Sequence, residues 1–142
     1  MDGSSMMDIS TRGRYATRIM VFLAEWPGRP VTKTEISEAE GVTPGYLQQI
    51  MGGLLSAGLV RSYRGKAGGF ALARPPETIT VGDVLRATEG RVSPAPCWDI
   101  HHCGRARECP TRPFWLKAAQ LLDDLFDGTT VERQVIPQPE GL

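Results

Sequence analysis

Cys97, Cys103 and Cys109 are the three cysteines of this 142-residue chain, and they fall at equal steps in the pattern C-x5-C-x5-C. An odd thiol count argues against a closed disulfide framework. Soft thiolates grouped on one short segment are instead metal chemistry. Zinc sites usually use C-x2-4-C pairs, because two close thiolates must point at one tetrahedral centre. Five-residue gaps let a loop wrap a larger object, as thiolates do around an iron–sulfur cluster. Two other uses stay open on these residues: inert buried thiols, and a Cys3His zinc site completed by His101 or His102.

A second group has the chemistry of nucleic-acid recognition. Thr43, Tyr46, Gln48 and Gln49 carry hydroxyl and amide groups at the start of a helical pattern, where side chains can pair with base edges in a major groove. Two glutamines alone would read as a solvated helix face. Arg64 and Lys66 change that balance, because they sit in the glycine-rich stretch Arg64-Gly65-Lys66-Ala67-Gly68-Gly69. A basic hairpin tip suits phosphate contact or insertion into a narrow minor groove. No Ser/His/Asp set, P-loop or G-x-G-x-x-G precedes a helix, so the expectation is a regulator and not an enzyme.

The elements that must hold these groups can be read from periodicity and caps. Tyr15, Ile19, Phe22 and Leu23 mark a first amphipathic helix, capped by Ser10 or Thr11 and ended at Pro27-Gly28. Thr32 and Glu35 form a capping box for a second, stopped by Gly41. Thr43-Pro44 restarts a third, with Leu47, Ile50, Met51, Leu54 and Leu55 as its buried face and Gly58 as its stop. Gly52 and Gly53 weaken that helix by roughly 1 kcal/mol each relative to alanine. Leu59–Tyr63 and Phe70–Ala73 read as a hairpin around the basic turn.

Helix–helix–helix–hairpin is a winged helix-turn-helix. Thr80 and Asp83 then cap a helix through Thr88, and a loop holding all three cysteines and both histidines follows. Pro113 opens a helix striped by Phe114, Trp115, Ala118, Leu121, Leu122, Leu125 and Phe126. This stripe comes after the winged helix is complete, so it reads as a dimer seam. Residues 129–135 are expected to add a short helix. The fold class is therefore mainly α with a small β-hairpin wing, plus a long C-terminal dimerisation helix. The expected division is a DNA-binding domain over 8–76, a cluster-binding loop and dimerisation helix over 77–136, and flexible tails over 1–7 and 137–142.

Composition sets outer bounds. Hydrophobic residues make up 41% and charged residues 23%, which is ordinary for a globular chain and too apolar for a disordered one. Formal net charge is zero, but residues 1–75 carry nine Lys/Arg against six Asp/Glu, and the remainder seven against ten. A strongly basic binder is excluded; a local cationic patch between Arg61 and Arg74 is not. Apolar runs are too short for a membrane span, and the N-terminus lacks the basic-then-apolar pattern of a secretory signal, so the expected compartment is the cytoplasm.

Taken together these residues resemble the Rrf-two superfamily of bacterial winged-helix transcriptional regulators, with its IscR-like, NsrR-like and RirA-like iron–sulfur branches. The resemblance is carried by Ser10–Ala16, Gly41–Gln49, Gly58–Val60, Arg64–Phe70, Ile79–Val84 and the three cysteines, and spans about Asp8 to Val135. It implies a homodimer on double-stranded operator DNA, acting in the cytoplasm at the nucleoid. It also implies a 2Fe–2S or 4Fe–4S cluster on Cys97, Cys103 and Cys109 whose state sets DNA affinity. By position, Gln48 and Gln49 fall where the family reads bases, and Arg64 where its wing meets the minor groove. The IscR-like branch has a histidine ligand where this chain has Arg112, and the NsrR-like branch an acidic ligand where it has Arg14. The fourth ligand is left open among His101, His102, Asp99, Asp8 and an exogenous small ligand.

Overall fold

The computed structural model describes residues 9–90, 92–95, 97, 101 and 103–132. The expected tails over 1–7 and 137–142 lie outside the described residues, as do Asp8, Asp99 and His102.

Five α-helices and one hairpin follow in the expected order: α1 (Thr11–Ala24), α2 (Lys33–Glu40), α3 (Pro44–Ser56), β1 (Val60–Tyr63), β2 (Gly69–Leu72), α4 (Val81–Thr88) and α5 (Arg112–Asp127). Local chemistry explains most of the boundaries. The hydroxyls of Ser10, Thr32, Thr43 and Thr80 each accept an amide N–H from the first turn of α1, α2, α3 and α4. Glu35 and Asp83 return the favour to the Thr32 and Thr80 amides, so both capping boxes are complete. Gly41 ends α2 with φ +67°, a left-handed turn that lets α3 begin three residues later.

The apolar stripes meet in one core. Ala16, Ile19, Met20 and Leu23 of α1 pack with Leu47, Ile50, Met51 and Leu54 of α3, and with Ile36 of α2. Val60 and Phe70 bring the hairpin into the same core, and Ile79, Val84 and Val131 bring in the chain on the far side of the wing.

β1 and β2 pair antiparallel with Val60 opposite Leu72 and Tyr63 opposite Gly69. Val31 adds a third short partner: its N–H and carbonyl exchange bonds of 2.8 Å with those of Phe70. Gly69 stands where a Cβ would collide with the Val31 carbonyl, and its φ of +152° is one that side chains avoid. The wing is thereby fixed to the segment entering α2.

One expected element is corrected. Residues 129–132 are not helical: Thr130 bridges Thr80, the Thr129 carbonyl accepts the Val81 N–H at 2.8 Å, and Val131 donates to Ile79. Val131 is fully buried, and pairing in extended form lets it enter the core while its backbone stays bonded. The run Thr129-Thr130-Val131 is β-branched, which was the signal for extended chain. Residues 133–135 lie outside the described residues.

Candidate nucleic-acid interface and cysteine loop

α3 presents two sides. Leu47, Ile50, Met51 and Leu54 are buried, whereas Thr43, Gln48 and Gln49 are exposed at its N-terminal half. The Thr43 hydroxyl accepts the Tyr46 amide N–H at 3.2 Å, which leaves its own proton available to an acceptor outside. Tyr46 differs from the glutamines. It is half-buried, with its ring edge-on to Tyr15 at 6.2 Å, so most of its surface is spent joining α3 to α1.

Arg18 ties α1 to the end of α2, the helix that leads into α3. Its Nε donates to Glu40 at 2.9 Å, its terminal nitrogen reaches the Glu40 carbonyl at 3.2 Å, and its guanidinium lies 4.9 Å from the Tyr15 ring centre.

Arg64 and Lys66 are both exposed in the hairpin turn, where Gly65 takes φ +97°. Between this turn and the start of α2 lies a groove of about 380 Å³, lined by Lys33, Thr34, Ser62, Tyr63 and Lys66. Lys33, Thr34 and Tyr63 were not singled out from sequence. Their position directly after the Thr32 cap and at the end of β1 was the available signal. Ammonium, hydroxyl and phenol donors on one rim suit phosphate oxygens.

The three cysteines lie on the connection from α4 to α5, each half-buried and none in a disulfide. Cys109 Sγ is 3.2 Å from Thr111 Oγ1. That contact and the Thr111 amide, with lesser help from the Arg112 amide and the Arg105 charge, hold the Cys109 thiol below its usual range although burial acts to raise it. Arg112 opens α5, and its Nε donates to the Cys97 carbonyl at 2.9 Å. Three soft thiols within one loop suit a cluster by donor type. They are not gathered in advance: among the described residues, no group of three or more His, Cys, Asp or Glu side chains is placed to hold a metal ion. His101 is exposed.

α5 leaves much of its apolar stripe exposed. Phe114, Leu121 and Leu125 are more than half exposed and Trp115 more than a third, while Ala119 is the residue of α5 that is buried. Phe126 also borders a cavity of about 600 Å³ with Val21, Phe22, Val81 and Leu85.

The Rrf2 profile, described as an iron-dependent transcriptional regulator, matches residues 9–136. The chain belongs to the Rrf2 family of transcriptional regulators. It is 35% identical over 127 residues to the HTH-type transcriptional regulator CymR of Bacillus subtilis, covering 89% of this chain and 88% of the relative. It is 32% identical over 126 residues to IscR of Aliivibrio salmonicida, covering 88% and 75%. Among solved structures, CymR described as the global cysteine regulator of B. subtilis superposes with TM-score 0.75 at 34% identity, covering 90% of this chain and 95% of that one. IscR of T. potens superposes with TM-score 0.71 at 31% identity, covering 93% of each.

An Rrf2 regulator binds DNA and controls transcription, and these relatives are named as regulators and not as enzymes. Among the described residues, no helix is long and apolar enough to cross a membrane.

Proposed function

We propose that this Rrf2 chain is a cytoplasmic, homodimeric regulator whose affinity for a DNA operator is set at the Cys97–Cys109 loop by an iron–sulfur cluster of the 2Fe–2S or 4Fe–4S type. The observation that carries this reading is the loop itself: three thiols outside any disulfide, in one short connection leading into α5. A cluster bound there supplies a group whose state changes with iron supply, oxidant or nitric oxide. Its binding requires the loop to close around it.

The DNA-facing assignment rests on exposure and chemistry. Gln48 and Gln49 are the base readers, with Thr43 at the helix start; Arg64 and Lys66 meet backbone or minor groove, supported by the groove at Lys33 and Tyr63. Tyr46 supports this face mainly by bracing α3 on α1. The bare apolar stripe Phe114, Leu121 and Leu125 supports α5 as the seam of a homodimer. The winged helix over 8–76 and the loop-plus-helix over 77–136 then divide the labour of reading and sensing.

Anaerobically purified protein tests the cluster directly. The expected result is brown protein with acid-labile sulfide and iron; colourless protein with one zinc per chain would replace the cluster by a structural metal. A thiol switch without metal is a second reading, favoured by the depressed Cys109 thiol and by a relative solved in oxidised form, CymR of Staphylococcus aureus. In that case peroxide alone, applied to metal-free protein, changes operator affinity.

A further inference from the structure

α5 begins at Arg112, and both ends of the cysteine loop come back to that point. The Arg112 Nε donates to the Cys97 carbonyl, 15 residues earlier, at 2.9 Å. The Arg112 amide N–H bonds the Cys109 carbonyl at 3.3 Å, and Thr111 Oγ1 touches Cys109 Sγ at 3.2 Å. Cys103 is different: its carbonyl accepts the Ala106 N–H, inside the loop. A side chain in the first turn of a helix leans toward the N-terminus, so the Arg112 guanidinium lies back over the loop instead of along α5. It is also half-buried.

We propose that Arg112 is the positioning residue of the cysteine loop, clamping Cys97 by its carbonyl at the helix end that already holds Cys109. Arginine stays charged and offers no lone pair to a metal, so at this place the chain has a strap and not a ligand. The strap acts before anything binds. It closes the loop once, so a ligand gathering the thiols has less chain entropy to overcome. This use of the clamp rests on the loop binding a metal or cluster; the clamp itself does not.

The test uses full-length, metal-free protein, with Arg112→Ala and the helix-compatible Arg112→Gln beside wild type. Alkylation by iodoacetamide is followed at each cysteine by peptide mass spectrometry, with circular dichroism as a check on folding. Both variants should alkylate Cys97 about 5-fold faster or more, the scale of one lost hydrogen bond, with little change at Cys103. Losing a positive charge would by itself slow alkylation, because the thiolate is the nucleophile, so a rise reports loosening of the loop. An unchanged Cys97 rate overturns the proposal, as does an equal rise at all three cysteines, which would mean that α5 had merely frayed. Cobalt(II) titration adds the ligand arm: weaker binding in both variants at unchanged thiolate-to-metal band intensity is expected. If wild type binds no cobalt while the Cys97 effect persists, the ligand role of the loop fails and the clamp stands.

Discussion

Gly52 and Gly53 are neighbours in the middle of α3, yet alanine should act on them in opposite directions. Both are half-buried with ordinary helical backbone. A Cβ at Gly52 meets nothing within 4 Å, whereas one at Gly53 stands 3.0 Å from the Ala87 carbonyl oxygen of α4. Alanine in an open helix interior gains about 0.5–1 kcal/mol over glycine by restricting the unfolded chain. Gly52→Ala should therefore raise stability by about that amount, or roughly 2–4 °C in Tm for a chain of this size. At Gly53 the same gain is set against backbone, which yields less readily than a side chain. Overpacking typically costs about 1–3 kcal/mol, so Gly53→Ala should be neutral to destabilising by about 2 kcal/mol. Urea and thermal unfolding at one fixed protein concentration measure both, because association makes Tm concentration-dependent. Equal stabilisation by the two substitutions would refute the close approach of α3 to α4. Destabilisation by Gly52→Ala would refute the open space beside it.

Arg64→Ala should lower the slope of log affinity against log salt by about one, with a larger loss on operators having narrow A·T minor grooves. Gln48→Ala should instead remove about 1–3 kcal/mol of discrimination at one base position, seen in a binding screen of single-base operator variants. At Asp83, burial acts to raise the carboxyl, but the Thr80 amide, Arg86 and Arg74 outweigh it and leave the group below its usual 3.8. Its stabilising share is thus present above that value and lost as pH falls through the lower folded value. The stability gap between wild type and Asp83→Asn should therefore shrink below about pH 4 in urea titrations. Substituting all three cysteines by alanine should leave a folded dimer whose operator affinity no longer shifts with iron, oxidant or nitric oxide, a coupling expected to be about 5- to 150-fold. Leu121→Asp should yield monomers by light scattering with the helical signal intact, since Leu121 is 58% exposed in the protomer.

What was legible in the sequence was mostly short-range. The Ser10, Thr32, Thr43 and Thr80 caps each involve residues three apart, and the Gly41 turn is one backbone conformation. The α1 and α3 stripes were readable because one face of each is buried. Contacts between distant residues were not. Nothing near Val31 announces that it pairs with Phe70, and Thr129–Val131 took a helical reading because its partners, Ile79 to Val81, lie some fifty residues away. The ring contact of Tyr46 with Tyr15 was equally hidden, because the two residues are on different helices. Arg112 was visible only as a residue that cannot ligate; its partner, the Cys97 carbonyl, is a backbone atom that no side-chain pattern encodes.

The return of the chain after α5 has a mechanical consequence. Thr129 to Val131 anchor one end of a 16-residue rod to Ile79, Thr80 and Val81, and Arg86 adds a 2.8 Å tie to Asp127 at that same end. The cysteines hang from the opposite end, about 24 Å away at 1.5 Å per residue. With the fulcrum at Val131, displacing the far tip by ~2 Å rotates the rod by ~5°. In the proposed dimer two such rods lie together, so equal tilts change the angle between protomers by ~10°. Across the ~34 Å separating successive major-groove half-sites, that moves one reading head by ~6 Å relative to the other. In that proposed dimer a shift at the loop would reach the DNA through the tilt of α5, without a path through the winged-helix core.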